Sequence, residues 1–181
     1  MKATGIVRRI DDLGRVVIPK EIRRVLRIRE GDPLEIFTER DGEVIFKKYS
    51  PIGELGEFAA DYAETLAKTS GVPVVITDKD NVIAVSGAPK KELVEKRISE
   101  DVEKMLEKKI IFAIDSGDRG GVPVVSGSEK YFAGVVAPIV SEGDTIGSVM
   151  MVSEHEKMPV GEVEKKLCQS AAGFLGKHME E

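Results

Sequence analysis

The chain has a single cysteine and no tryptophan, and only two side-chain amides, Asn81 and Gln169, among 181 residues. Cys168 alone cannot close an intrachain disulfide, and with His155 and His178 it cannot complete a zinc site. No run approaches the roughly eighteen consecutive apolar residues of a membrane helix, and Met1–Ile10 lacks the apolar stretch of a signal peptide. The expectation is a soluble, cytoplasmic protein with no membrane partner, no metal and no cofactor. The shortage of amides beside abundant Glu, Lys and Arg has two readings: a protein that works hot, where ion-pair networks are cheaper to desolvate, or lineage bias in composition.

Catalytic constellations are missing too. His155 lies between Glu154 and Glu156, His178 lies near the end, and neither has Ser or Cys in a triad-like pattern. Gly117–Gly121 lacks the lysine and Ser/Thr of a phosphate-binding loop. Cys168, beside Leu167 and within a helical pattern, reads as a small buried hydrophobe. No catalytic residue is assigned, and no enzyme is expected.

What is present is a segregation of charge. The whole chain carries −5, which taken alone argues against nucleic acid. Met1–Arg29, however, holds nine basic residues against three acidic ones, whereas Pro51 onward holds fifteen basic against twenty-three acidic. A basic module is joined to an acidic one, and averaging hides the patch. Seven of these basic residues are arginines, and six of them fall within about twenty residues: Arg8, Arg9, Arg15, Arg23, Arg24 and Arg27. The planar guanidinium fork can bond guanine O6 and N7 together, or two phosphate oxygens, where lysine is a point charge. Phe37, Phe46 and Tyr49 are the only aromatics of the first fifty residues, too few for a base-stacking single-strand binder, so duplex DNA is favoured. A solvated charged face is the plain alternative for such a run.

The first fifty residues are rich in β-branched side chains. Lys2–Arg9 alternates loosely, Val16-Val17-Ile18 is a short apolar run, and Leu34–Phe37 and Val44–Phe46 read as strands around an Asp41-Gly42 turn. Pro19 opens a helix to about Leu26, with Ile22, Val25 and Leu26 on one face and Arg23, Arg24 and Arg27 outward. So small a unit buries too little surface alone, and an intertwined dimer is the expected remedy. After Lys47–Pro51 come an amphipathic helix through Leu55, Phe58, Ala59, Tyr62, Ala63, Leu66 and Ala67, and a hairpin of Val72–Thr77 with Val82–Ser86. A charged helix capped by Ser99 follows, then a mobile loop over Ser116–Ser128 and paired strands Tyr131–Val140 and Thr145–Ser153. A last helix spans Val160–Met179, with Val163, Leu167, Ala171, Phe174 and Leu175 along one side. This is α+β: a central, mainly antiparallel sheet flanked by helices. Pro138 marks an edge or a bulge. The stripes on the first and last helices are read as packing on their own sheet, or as a bundle with partner subunits.

The run from Lys2 to Arg24, with Asp11-Asp12-Leu13-Gly14-Arg15-Val16-Val17-Ile18-Pro19 at its centre, resembles the AbrB-type transition-state regulators of spore-forming bacteria. Leu34-Glu35-Ile36 and Lys47-Lys48-Tyr49 extend the resemblance over the first domain. It implies a swapped-hairpin barrel formed by two interleaved chains. It implies DNA contacts at Arg8, Arg15, Arg23 and Arg24, with Arg9 a basic position beside them. It also implies activation and repression of sporulation genes in the forespore. Val74–Asp78 with Asn81–Gly87, and Ala137–Val140 with Thr145–Val149, resemble strands of GAF-type sensor domains, which implies an effector or partner role and a pocket over the sheet near Ser116–Ser128. GAF-like domains include a methionine sulfoxide reductase, but that chemistry needs several cysteines. The expected organisation is a DNA-binding and dimerisation domain at 1–50 and a GAF-like sensor or oligomerisation domain at 51–181. The partners expected are duplex DNA, a homodimer through 1–50, a homotetramer through the two long helices and an unidentified small-molecule effector. Two alternatives stand beside this: an AbrB-like antitoxin that binds a toxin, and a ligand-gated sensor with DNA binding secondary.

Overall fold

The computed structural model describes residues 5–54, 56–114, 120–158 and 160–180, and the chain divides into two compact units between Tyr49 and Ser50. In the first unit, Pro19 leads into α1 (Lys20–Leu26), and β1 (Leu34–Thr38) pairs antiparallel with β2 (Val44–Lys48). Gly42, at φ 82, turns this hairpin, its N–H donating to the Glu39 carbonyl at 3.1 Å.

The alternation up to Arg9 and the Val16–Ile18 run do not become strands among residues 5–19. A strand needs a neighbour for its backbone donors and acceptors, and β1 and β2 pair with each other. The apolar side chains of this unit consequently face solvent: Val7 is 90% exposed, Val17 70% and Val25 80%. The expected apolar face of α1 is likewise uncovered, with Ile22 half-buried and Leu26 exposed. Among the described residues of the unit, only Pro19 is buried.

The second unit contains α2 (Pro51–Glu54), α3 (Gly56–Ser70), β3 (Val74–Asp78), β4 (Val82–Ser86), α4 (Lys90–Leu93) and α5 (Glu100–Glu107). It continues with β5 (Phe112–Ala113), β6 (Val122–Pro123), β7 (Phe132–Ser141), β8 (Asp144–Ser153) and α6 (Glu162–His178). The sheet order is β4-β3-β8-β7-β5, with β6 also on β7, and every pairing is antiparallel. Side chains alternate between two cores. Val74, Ile76, Val149 and Met151 meet Ala59, Ala63, Cys168, Ala171 and Leu175 of α3 and α6. Val75, Val85, Val136 and Met150 meet Leu93, Val102 and Leu106 on the opposite face. The chain is α+β.

Local chemistry explains the connections. Ser99 caps α5 by accepting the Val102 N–H at 3.2 Å, and acidic Glu100 and Asp101 favour that positive helix end. Glu142 and Gly143, at φ 49 and 86, form the two-residue turn between β7 and β8; two successive positive φ values give the twist such a hairpin needs. Pro138 pairs with Ser148 of β8, while β5 reaches only Val135 and Val136, so this stretch of β7 is an edge, with a register shift beginning one residue later.

Two expectations need correction. The mobile loop of Ser116–Ser128 falls partly outside the described residues, but from Gly120 onward it is structured: β6 pairs with β7, Val125 bridges Ile98, and Val124 is fully buried. The stripe on α6 is rotated. Cys168, Ala171, Ala172, Leu175 and Gly176 face the sheet, while Val163 and Phe174 are 66% and 49% exposed. Small residues let the helix approach the strands closely, so the larger side chains are displaced to its outer side. A Cβ on Gly176 would overlap the Val140 carbonyl oxygen, and one on Gly147 would overlap that of Thr77. Gly176→Ala and Gly147→Ala are each expected to lose about 1–3 kcal/mol of stability through overpacking, measured by urea unfolding; wild-type midpoints would remove the close approach.

Candidate nucleic-acid interface

The first arginine site is organised by a carboxylate. The Asp11 N–H donates to the Arg15 carbonyl at 3.0 Å, and the Gly14 N–H donates to the Asp11 carbonyl at 3.0 Å. Asp11 Oδ1 accepts the N–H groups of Leu13 and Arg15 at 3.0 and 2.8 Å, while Oδ2 accepts Arg15 Nε at 2.9 Å. Gly14 has φ 74, a conformation that favours glycine. The Arg15 N–H, then the Arg15 guanidinium and the Leu13 N–H, hold the Asp11 carboxyl below its ordinary pKa, so it is ionised at neutral pH. Arg8 and Arg9 lie on the arm entering this turn, Arg15 closes it, and all three are exposed.

The second arginine site is α1. Arg23 and Arg24 occupy its last turn and are exposed; cations there are favoured by the negative end of the helix dipole, which is a stability reason for them independent of any ligand. Arg27 ends the helix in the left-handed conformation at φ 52, with the Ile28 N–H donating to the Arg23 carbonyl at 2.8 Å. Lys48 of β2 donates to the Arg27 carbonyl at 3.1 Å and pairs with Asp32 at 3.4 Å, and Asp32 accepts the Arg29 N–H at 2.8 Å. These bonds tie the helix exit to the hairpin. Arg15 thus lies in the turn with Arg8 and Arg9 on the arm leading into it, while Arg23 and Arg24 share the helix that starts at Lys20.

Sequence reasoning missed the part played by Asp11, although an Asp three residues before a glycine is the mark of a side-chain-closed turn. It also missed an aromatic group on α3 and α6. Phe58 stacks on His178 at 4.8 Å and Tyr62 on Phe174 at 5.5 Å, and the i,i+4 spacing of each helix's pair was the available signal. A cleft of about 570 Å³ lies beside the start of α5, between Glu100, Ser126 and Glu129. Among the described residues, no group of His, Cys, Asp and Glu could hold a metal, and no helix is long and apolar enough to cross a membrane.

The sequence family described as stage V sporulation protein T C-terminal, transcription factor, matches residues 54–180, and stage V sporulation protein T of Bacillus subtilis (strain 168) is 56% identical over 182 residues, 100% of both chains. The chain belongs to the stage V sporulation protein T family of transcription factors. Within that family its first unit is of AbrB type: transition state regulatory protein AbrB of the same organism is 61% identical over 51 residues, 28% of this chain and 52% of that one. The family described as antidote-toxin recognition MazE, bacterial antitoxin, matches residues 7–53. The second unit has the fold of the GAF domain from an Acinetobacter phosphoenolpyruvate-protein phosphotransferase, with a TM-score of 0.54 and 11% identity over 69% of this chain and 81% of that structure.

Cys168 is buried against the sheet, and that burial pushes its thiol up to about 12, leaving it neutral at physiological pH. Native protein at pH 8 is expected to leave a disulfide reagent such as dithionitrobenzoate unconsumed until denaturant is added; rapid labelling of the native state would contradict this burial.

Proposed function

We propose that this transcription factor grips duplex DNA through Arg8, Arg9, Arg15, Arg23 and Arg24, presented twice by a dimer of the first unit. The supporting observation is charge placement: nine basic residues against three acidic in Met1–Arg29, with all five arginines exposed on an arm, the turn it enters and one helix. Phosphate neutralisation supplies most of the affinity, and DNA shape with base-edge contacts supplies selectivity. The acidic second unit repels DNA, which confines the grip to the first.

The dimer follows from exposed apolar side chains. Val7, Ile10, Leu13, Val16, Val17, Val25, Leu26 and Ile36 are too many to leave in water, and interleaving two copies provides the missing strand neighbours for residues 5–19. The same reasoning assigns the outer side of α3 and α6, where Phe174 is half exposed, to contact between dimers, giving a tetramer. The working site is the cytoplasm of the forespore, where the protein raises some genes and lowers others. An effector, if the GAF-like unit takes one, has the cleft bounded by Glu100 and Glu129 to enter, a setting that favours cationic or neutral molecules.

The antitoxin match at residues 7–53 supports a second reading, toxin binding. It concerns the basic unit alone, whereas the family match over 54–180 accounts for a folded second unit that toxin capture does not call for.

Fluorescence-anisotropy titration of full-length protein should show log affinity falling linearly with log salt, with a slope of several phosphate equivalents per dimer; a flat dependence would remove the arginine grip. Arg15→Ala should lose about 1–3 kcal/mol of binding to its preferred duplex, and Arg23→Ala/Arg24→Ala should flatten the salt slope. Phe174→Glu should leave a dimer in sedimentation equilibrium and retain DNA binding; an unchanged mass would move the tetramer contact elsewhere.

A further inference from the structure

We propose that Asp11 is a positioning residue: it fixes the Arg15 guanidinium so that its two terminal nitrogens present a preset fork to a guanine edge in the major groove. The inference rests on the reading of Arg15 as a DNA contact and specifies how that contact discriminates. Asp11 Oδ2 takes Nε at 2.9 Å, and the other carboxylate oxygen takes the Leu13 and Arg15 backbone N–H groups. Backbone and side chain of Arg15 are therefore held by one anion, itself closed into the turn by the 3.0 Å bond from the Asp11 N–H to the Arg15 carbonyl. Using Nε leaves both terminal NH2 groups for a ligand, and these form the parallel pair that matches guanine O6 and N7.

Charge accounting favours direction over attraction. A carboxylate bonded to Arg15 cancels much of that arginine's pull on distant phosphates, and Asp12 adds a second negative charge next door. For a residue meant only to attract the backbone, such neighbours are a handicap. For a residue meant to read a base edge they are useful, because the side chain is 68% exposed and an unheld arginine would have to surrender its rotamer freedom on binding. Arg8 and Arg9, on the arm before the turn, are left to supply the undirected attraction.

The test uses full-length protein and two duplexes: one selected by the wild-type protein from a random pool, and one of scrambled sequence. Asp11→Asn keeps an oxygen to accept the turn N–H groups, but its amide nitrogen cannot accept from Arg15 Nε. It is expected to lower discrimination between the duplexes by about tenfold, while affinity for scrambled DNA stays level or rises and the melting temperature holds. In an Arg15→Ala background, Asp11→Asn should change the ratio no further. Loss of affinity for both duplexes together, with a lower melting temperature, would reduce Asp11 to a structural part of the turn. An unchanged ratio in Asp11→Asn, beside a lowered ratio in Arg15→Ala, would overturn the positioning role while leaving the DNA reading intact. Arg15→Ala with wild-type affinity for both duplexes would overturn the contact and the positioning role together.

Discussion

Apolar side chains that the first unit cannot bury by itself govern the rest of the molecule. Fully withdrawing one valine, leucine or isoleucine from water contributes about 1.5–3 kcal/mol, and residues 5–36 leave nine such side chains exposed. Covering even half of them yields on the order of 10 kcal/mol, as large as the whole stability of a typical domain. A unit built this way depends on a second surface. The segment 5–19, with its backbone unpaired into any strand, is the part that gains most from one. The candidate arginines lie on that same segment and on α1, so in the proposed dimer the DNA grip and the core are completed together.

The second unit obeys the opposite rule. Its sheet is covered on both faces, by α3 and α6 on one side and by α4, α5 and the Val124–Val125 segment on the other. Its buried polar groups are matched: Thr77 and Ser148 share a hydrogen bond at 2.7 Å inside the sheet, and the Thr145 hydroxyl donates to the Leu106 carbonyl at 3.1 Å. A self-sufficient acidic body joined to a basic one that lacks a core divides the labour. One part is the AbrB-type unit that leaves its apolar side chains in water, and the other buries a core of its own.

How much of this could be read from residues depends on whether the controlling interaction is local. The Ser99 cap, the Glu142-Gly143 hairpin turn, the helix opened by Pro19 and the hairpin around Gly42 each rest on a few neighbouring residues, and each is legible. The α6 stripe differs from its apolar periodicity because side-chain size, not hydrophobicity alone, decides which face meets the sheet. Ala171, Ala172 and Gly176 face the sheet because they are small, which puts Phe174 outside. Val122–Val125 sits in Gly- and Ser-rich sequence that reads as loop, and its order comes from pairing with Tyr131, Phe132 and Ala133 and from the bridge to Ile98 far back in the chain. Lys2–Arg9 and Val16–Ile18 carry strand-like patterns that one chain leaves unpaired. In the candidate site the arginines were visible as charge, but Asp11 was visible only as a turn residue, since its bond to Nε belongs to side-chain geometry.

The most direct measurement of this dependence is unfolding of the full chain over a hundredfold range of protein concentration, followed through the amides of the first unit by hydrogen exchange. If the first unit is completed by a second copy, protection of residues 16–28 and 34–48 rises with concentration and vanishes at the dilution where sedimentation first detects monomer. Protection that is full and independent of concentration in a monomeric chain would contradict the account.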